Sequence, residues 1–140
     1  MLGPGVALHH GDCLEIMQRL PDKSVDLILC DLPYGTTQNK WDAIIPFEHL
    51  WAQYERLSRG AIVLTAAQPF TSALVMSNPN LFKYQWVWNK SKVTGVLNAK
   101  KQPLRNHEDV LVFYSRQPTY NPQGLYAFGK RRDIGAKRSG

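Results

Sequence analysis

The order of hydrophobic and polar residues along the chain predicts strands that alternate with helices. Short apolar runs with the length and composition of strands occur at five places: 6–9, 25–30, 61–65, 81–88 and 110–114. Between them, apolar residues recur at helical spacing in three segments: 12–20, 46–57 and 69–77. Because strands and helices alternate, the pattern predicts a layered α/β fold.

Two of these strands also carry predictions about burial. Segment 25–30 is almost continuously apolar, which is typical of a strand buried on both faces of a parallel sheet. In segment 81–88 the aromatic residues alternate, and Trp86 and Trp88 are expected in the hydrophobic core rather than on a base-binding surface. Residues 89–107 are expected to form a loop.

Length and composition limit the classes of protein that the chain can be. With 140 residues, 44% of them hydrophobic, it should fold as one domain or as part of one. No apolar stretch approaches the ~18 residues of a membrane span, and residues 1–5 lack the features of a signal peptide, so a cytoplasmic protein is expected. Cys13 and Cys30 are predicted to be buried thiols, and no metal site is expected.

The net charge of +6 is unevenly spread along the chain. Residues 1–60 hold five bases and eight acids, a net charge of −3, whereas residues 61–140 hold twelve bases and three acids, a net charge of +9. Clustered lysine and arginine attract phosphate, so the second half predicts a nucleic-acid partner, with a solvated basic surface as the alternative. The segment best suited to contact DNA is 89–107, whose five basic residues have no acid among them: Lys90, Lys92, Lys100, Lys101 and Arg105.

The candidate chemistry lies directly after the segment 25–30. Asp31 stands at the carboxyl end of this strand, where open α/β sheets bind their ligands. Leu32 precedes a proline and is held extended, so its carbonyl has a defined direction, and Pro33 fixes the following backbone. Tyr34 adds a flat aromatic face. These groups suit an amine on a planar base, although a strand-ending turn with a capping aspartate is the alternative.

The sequence around this motif resembles a known family. The run GDCLE at 11–15 and the run SVDLILCDLPY at 24–34 have the order and separation found in the amino DNA methyltransferases that use S-adenosylmethionine. In the members that it resembles, the catalytic motif lies near the N-terminus. Further similar segments occur at 40–42, 86–90, 98, 105–108 and 120–123. An aspartate at the start of the catalytic motif resembles the adenine-specific members.

The resemblance implies methyl transfer from S-adenosylmethionine to the N6 amine of an adenine flipped out of double-stranded DNA. By this resemblance Asp31 and the Leu32 carbonyl would hold the amine, and Tyr34 would stack on the base. Asp12 would accept a hydrogen bond from the adenine of the cofactor, and Asp31 would also lie near the cofactor. A helix N-cap is the alternative role of Asp12. The resemblance further implies DNA methylation within a restriction-modification system.

The chain departs from the family at one point. Relatives carry a Phe-x-Gly-x-Gly loop for the methionine end of the cofactor, and this sequence has no such loop. The expected architecture is therefore a Rossmann-like, three-layer methyltransferase fold with an incomplete sheet, in which the first strand has no neighbour. Residues 1–115 would form the catalytic part, and 116–140 a basic tail or the start of the DNA target-recognition segment. The remaining half, a second chain or a cognate restriction enzyme is the expected partner.

Two other functions stay open from the sequence. A truncated relative that has lost cofactor binding would be a catalytically inactive nucleic-acid-binding module. An RNA methyltransferase could use the same Asp-Leu-Pro-Tyr chemistry, because base flipping and stacking do not by themselves distinguish RNA from DNA.

Overall fold

The computed structural model describes residues 5–35, 39 and 42–124 of the chain. The predictions for residues 40, 41 and 125–140, which include most of the basic tail, lie outside this part. The elements in chain order are α1 (Cys13–Gln18), β1 (Val25–Asp31), α2 (Phe47–Leu57), β2 (Ser58–Ala66), α3 (Phe70–Ser77), β3 (Phe82–Thr94), a 3-10 turn (Val96–Asn98) and β4 (Arg105–Phe113). The predicted alternation of strands and helices is confirmed.

The four strands form one mixed sheet in the order β1-β2-β4-β3. Strand β1 runs parallel to β2, whereas β4 is antiparallel both to β2 and to β3. The pairing places Asp31 of β1 beside Thr65 of β2, and Thr65 beside Val110 of β4. Strand β1 is therefore an edge of the sheet within the described residues, and its last residue lies next to the carboxyl end of β2.

The helices cover one face of this sheet. Apolar residues of α2 recur at helical spacing and are buried, among them Leu50, Trp51 and Leu57. The Trp51 ring lies 4.9 Å from the Phe113 ring of β4, measured between ring centroids. On α3, the Thr71 hydroxyl donates a hydrogen bond of 2.7 Å to Asp109 Oδ2 of the same strand. The core thus lies between α2, α3 and the sheet face to which Phe113 and Asp109 point.

The opposite face, which we call the open face, has no helix from the described residues against it. Alternation along the strands and the pairing between them place these residues on it: Leu27, Leu29, Asp31, Thr65, Trp86, Trp88, Glu108 and Val110. Leu27 is 53% exposed and Leu29 70%, so the prediction that segment 25–30 is buried on both faces is wrong. Trp86 and Trp88 are also about half exposed, which corrects their predicted place in the core. Composition along one strand does not reveal which of its faces receives a helix.

Three further predictions are corrected by the structure. Residues 6–9 form no strand, and Val6 and Leu8 are exposed, because this segment pairs with none of the four strands of the sheet and so gains no hydrogen bonds between strands. The predicted loop 89–107 is partly strand, since β3 continues to Thr94 and β4 begins at Arg105. Cys13 is exposed rather than buried, and Cys30 is half-buried.

Tyr54 makes the free energy of unfolding depend on pH in the alkaline range. Burial raises the pKa of its phenol above the ordinary value of 10.0, and a hydrogen bond with Cys30 adds to the rise. Because the folded chain holds this proton more tightly than the unfolded chain, the free energy of unfolding should fall as the pH rises above about 10. We expect Tyr54→Phe to make that fall shallower, by up to about 1.4 kcal/mol per pH unit.

Urea unfolding at a series of alkaline pH values measures this difference. Tyr120→Phe, which changes an exposed tyrosine, is the matched control. If Tyr54→Phe and the wild type lost stability with the same slope, the burial of Tyr54 would not be the cause.

Candidate active site at the carboxyl end of β1

Asp31 is the last residue of β1, and two hydroxyl groups meet one oxygen of its carboxylate. Thr65 Oγ1 donates a short hydrogen bond to Asp31 Oδ1, and Tyr34 Oη lies 3.0 Å from the same oxygen. Tyr34 Oη also lies 2.8 Å from Thr65 Oγ1. Among the described residues no donor reaches the second oxygen, Oδ2. The carboxylate is exposed, so Oδ2 can accept a hydrogen bond from a ligand.

Tyr34 is held by the core on one side of its ring. The ring stacks on Phe70, with 5.2 Å between the centroids and 26° between the planes, and Phe70 is itself buried. Burial raises the pKa of the Tyr34 phenol well above its ordinary value, and the charges of Asp31 and Glu108 add to the rise, whereas the hydrogen bond with Thr65 opposes it. The phenol therefore keeps its proton at neutral pH and acts as a hydrogen-bond donor.

The turn after β1 fixes the direction of this tyrosine. The Leu32 side chain is only 5% exposed and belongs to the main hydrophobic cluster, so it contributes more than the backbone carbonyl expected from the sequence. Gly35 has a φ of +67°, and a Cβ at this position would lie 2.9 Å from Cγ1 of Ile44. Its N–H donates a 2.9 Å hydrogen bond to Asp42 Oδ1. The residues 31–34 are therefore anchored at both ends.

Asp12 has the capping role that was open from the sequence. Its Oδ1 accepts hydrogen bonds from the backbone N–H groups of Leu14 at 2.8 Å and of Glu15 at 3.3 Å, at the start of α1. Burial raises the pKa of the adjacent Cys13 thiol, and the charges of Asp12 and Cys30 add to the rise. The start of α1 thus lies near the carboxyl end of β1. Asp12 Oδ2 has no donor within the part of the chain that the structure describes.

The five basic residues that are predicted to contact DNA differ in their surroundings. Lys90 forms a short ion pair with Glu108 on the open face, and its ammonium group lies 5.5 Å from the centroid of the Trp88 ring. Arg105 donates a 3.1 Å hydrogen bond to the backbone carbonyl of Gln68. The other three are exposed in the β3–β4 hairpin, one near the end of β3 and two in the connection between the strands: Lys92, Lys100 and Lys101. The charge of Lys90 is therefore already matched by an acid, and these three are the better placed to reach phosphate.

Sequence reasoning missed three residues of this site. Thr65 lies 34 residues after Asp31, Phe70 is the first residue of α3, and Glu108 lies near the start of β4. Thr65 had a usable signal, because it ends a predicted strand and the carboxyl ends of parallel neighbours meet at one edge of a sheet. Phe70 and Glu108 had none, since the stacking of Phe70 on Tyr34 and the effect of the Glu108 charge on the Tyr34 pKa depend on how α3 and β4 pack.

The described residues contain neither a candidate metal site nor a helix that could span a membrane. No group of three or more histidine, cysteine, aspartate or glutamate side chains in ranges 5–35 and 42–124 could hold a metal ion. Over the same ranges, no helix has the length and apolar character needed to cross a bilayer.

Comparison with known proteins identifies a class of fold. The chain is 24% identical to the Type II methyltransferase M1.MboII of Moraxella bovis over 127 residues, which are 81% of this chain and 48% of that protein. The structure of M1.HpyAVI in complex with SAM matches with a TM-score of 0.61 and 18% identity, over 85% of this chain and 62% of that one. TTHA0409 of Thermus thermophilus matches with a TM-score of 0.54 and 18% identity, over 82% and 54% of the two chains. No protein-family model matches the chain.

The chain therefore has the Rossmann-like α/β fold of these methyltransferases, as the sequence predicted. The described residues form two of the three expected layers, because their helices lie on one face of the sheet only. It spans about half the length of the curated relative that it matches.

Proposed function

We propose that this chain supplies the catalytic part of a site-specific DNA methyltransferase that transfers a methyl group from S-adenosylmethionine to the N6 amine of adenine. One observation carries the proposal: the Asp31 carboxylate stands at the carboxyl end of a β-strand, with the Thr65 and Tyr34 hydroxyls at Oδ1 and no described donor at Oδ2. The proposal is supported by the sequence similarity to M1.MboII, a Type II methyltransferase, and by the fold shared with M1.HpyAVI, whose structure holds SAM, and with TTHA0409, described as a DNA modification methylase.

The residues 31–34 would bind the target adenine through its amine and its ring. Asp31 Oδ2 and the Leu32 carbonyl oxygen would each accept a hydrogen bond from one N–H of the amine. Because Phe70 occupies one side of the Tyr34 ring, the base would stack on the other side, giving three rings in series. Stacking on an aromatic side chain contributes about 1 to 3 kcal/mol per base.

Asp31 would also favour the chemical step. Positive charge would develop on N6 as its bond to the methyl carbon forms and the bond from that carbon to the sulfonium sulfur breaks, and a fixed carboxylate oxygen stabilises that charge without having to reorganise. The cofactor would leave as a neutral thioether, and the extra proton on N6 would pass to solvent. The amine itself is a weak nucleophile, so most of the acceleration would come from alignment of the base and from this fixed charge. No strongly basic residue is required for this role.

The described residues fit one wall of a cofactor site. Asp12 Oδ2 and Asp31 Oδ2 each remain available to a ligand, and the start of α1 lies near the end of β1. S-adenosylmethionine supplies, when bound, a methyl group on a positively charged sulfonium. A carboxylate beside a sulfonium is electrostatically favourable, which agrees with Asp31 lying near the cofactor as well as the base.

The open face provides a surface for double-stranded DNA beside this site. Pairing across the sheet places Asp31, Thr65, Val110 and Trp86 in one row, about 14 Å long at the usual spacing of strands. The half-exposed Trp86 and Trp88 and the exposed lysines of the hairpin combine aromatic faces with positive charge, as nucleic-acid surfaces do. DNA methylation within a restriction-modification system is part of the proposal, and the name of the relative M1.MboII, a Type II methyltransferase, supports it.

The decisive experiment is an assay that does not require knowledge of the target sequence. The protein is incubated with S-adenosylmethionine carrying a labelled methyl group and with unmethylated genomic DNA of several base compositions. Mass spectrometry of the nucleosides then identifies the product. Labelled N6-methyladenine is the expected result, whereas labelled methylcytosine would overturn the assignment to adenine.

Parallel reactions separate the proposal from its alternatives. Methylation of RNA but not of DNA would support the RNA methyltransferase. Calorimetric titration with S-adenosylmethionine, using Asp12→Ala and Asp31→Ala as comparisons, tests cofactor binding directly. DNA binding by a folded chain that neither binds the cofactor nor methylates would identify an inactive nucleic-acid-binding module.

A further inference from the structure

We propose that Thr65 is a positioning residue that holds the catalytic carboxylate of Asp31 in one orientation. This inference rests on the proposed function, because it concerns the same site. It assigns to a residue outside the Asp-Leu-Pro-Tyr motif the task of deciding which oxygen of Asp31 faces the substrate.

The pairing of two strands brings the two side chains together. Asp31 and Thr65 are register partners across β1 and β2, and both lie on the open face. Neighbouring strands lie about 4.8 Å apart, so side chains of register partners on one face are within reach of a short hydroxyl. A carboxylate only accepts, so the proton of the Thr65 hydroxyl is the one donated in the hydrogen bond to Asp31 Oδ1.

Tyr34 completes a chain of hydrogen bonds. With the Thr65 proton committed to Asp31, the Thr65 oxygen can accept from the Tyr34 hydroxyl, 2.8 Å away. Burial keeps the phenol protonated, so this donor is present throughout the neutral range. The ring that carries the hydroxyl is itself packed on Phe70 in the core. The Asp31 carboxylate is thus held by Thr65, Thr65 by Tyr34, and Tyr34 by its packing against the core.

The two oxygens of the Asp31 carboxylate therefore have different partners. Oδ1 accepts the Thr65 proton and has the Tyr34 hydroxyl 3.0 Å away, whereas Oδ2, which no described donor reaches, is left for the amine of the base. A threonine in a strand has few rotamers because it branches at Cβ, so its hydroxyl points in a fixed direction. Without it, Tyr34 would be the one remaining hydroxyl donor near Asp31 among the described residues, and the exposed Asp31 side chain would sample other rotamers.

The test compares Thr65→Val with Thr65→Ser. Valine keeps the shape and branching of threonine but has no hydroxyl, whereas serine keeps the hydroxyl. We expect Thr65→Val to lower kcat roughly 10- to 100-fold, as misplacement of a reacting group does, with KM for S-adenosylmethionine and DNA little changed. Thr65→Ser should recover most of kcat.

Thr71→Val is the matched control. It also removes a threonine hydroxyl that donates to a carboxylate, that of Asp109 on the helix side of the sheet. It should lower the stability of the protein while leaving kcat of the folded enzyme unchanged. A fall in kcat for Thr71→Val as large as for Thr65→Val would mean that loss of stability explains both, which would overturn the positioning role.

A second measurement does not depend on methyl transfer. Three-bond NMR couplings to Asp31 Cγ report the χ1 rotamer of that side chain. A single rotamer is expected in the wild type and in Thr65→Ser, and averaged couplings in Thr65→Val. If Thr65→Val kept a single Asp31 rotamer, the inference would be wrong whatever its effect on kcat.

The two readouts distinguish failure of this inference from failure of the proposed function. Averaged couplings in Thr65→Val, with a wild type that transfers no methyl group to nucleic acid, would leave Thr65 as the residue that orients Asp31 and refute the methyltransferase activity. Wild-type methylation with full kcat in Thr65→Val would refute the positioning role and leave the activity in place.

Discussion

Asp31→Asn should reduce the rate of methyl transfer roughly 100- to 1,000-fold, and Asp31→Ala at least as much, because a fixed charged acceptor is lost where positive charge develops. The asparagine variant keeps the size of the side chain but removes the negative charge. Since Asp31 is exposed and lies at the end of β1, neither variant should alter the fold. Single-turnover transfer of labelled methyl groups to DNA, with circular dichroism to check folding, measures the effect.

The same strand offers a control for this variant. Asp26 is an exposed aspartate near the other end of β1, where it pairs with Arg59 at 2.5 Å and 3.0 Å. That hydrogen-bonded arginine holds the pKa of Asp26 below its ordinary value. Asp26→Asn should leave the transfer rate unchanged. If Asp31→Asn were as active as Asp26→Asn, Asp31 would not be the catalytic carboxylate.

Gly60→Ala should destabilise the protein by about 3 kcal/mol, the upper part of the range for overpacking. A Cβ at residue 60 would lie 1.9 Å from the backbone carbonyl oxygen of Asp26 and 3.0 Å from its carbonyl carbon. The obstacle is backbone, which cannot rotate away as a side chain can. The register between β1 and β2 already shifts between Val25 and Leu27, so the added methyl group would push the edge strand away from the sheet. Urea unfolding or thermal melting measures the loss.

Gly95→Ala is the comparison for that variant. Gly95 has a φ of +88° but no atom within 4 Å of its Cβ position, so alanine would be strained there without colliding. The expected cost is about 1 kcal/mol. Equal losses at the two positions would show that the close approach of β1 to Gly60 is not what limits residue 60.

Much of the fold was predictable because its signals are local. The apolar spacing of α2, the proline before α3 and the capping aspartate of α1 each act within a few residues, and all three helices occur where predicted. The position of Asp31 at the end of β1 was predictable for the same reason. Because a proline follows shortly after the continuous apolar run, the strand is expected to end at the start of the Asp-Leu-Pro-Tyr motif.

The exposure of the strands was not predictable in this way. Leu27 and Leu29 have the composition of buried residues, yet they lie exposed on an edge strand. Trp86 and Trp88 alternate as core residues do, but neither face of this part of β3 is covered by the described residues, since Val87 on the other face is 62% exposed. Hydrophobic periodicity identifies the two faces of a strand, and only the placement of helices decides which of them is buried.

By itself the sequence determined the three helices, the position of β1, the Asp-Leu-Pro-Tyr motif that follows it and the basic character of the second half. Tertiary structure alone decided that Thr65 hydrogen-bonds Asp31, that Phe70 stacks on Tyr34 and that Glu108 neutralises Lys90. The physical reason is the range of the interactions. Helix spacing, caps and turns arise between residues that are close in the chain. These three contacts join residues 18 to 36 positions apart, and they form only when the strands have paired and the helices have packed.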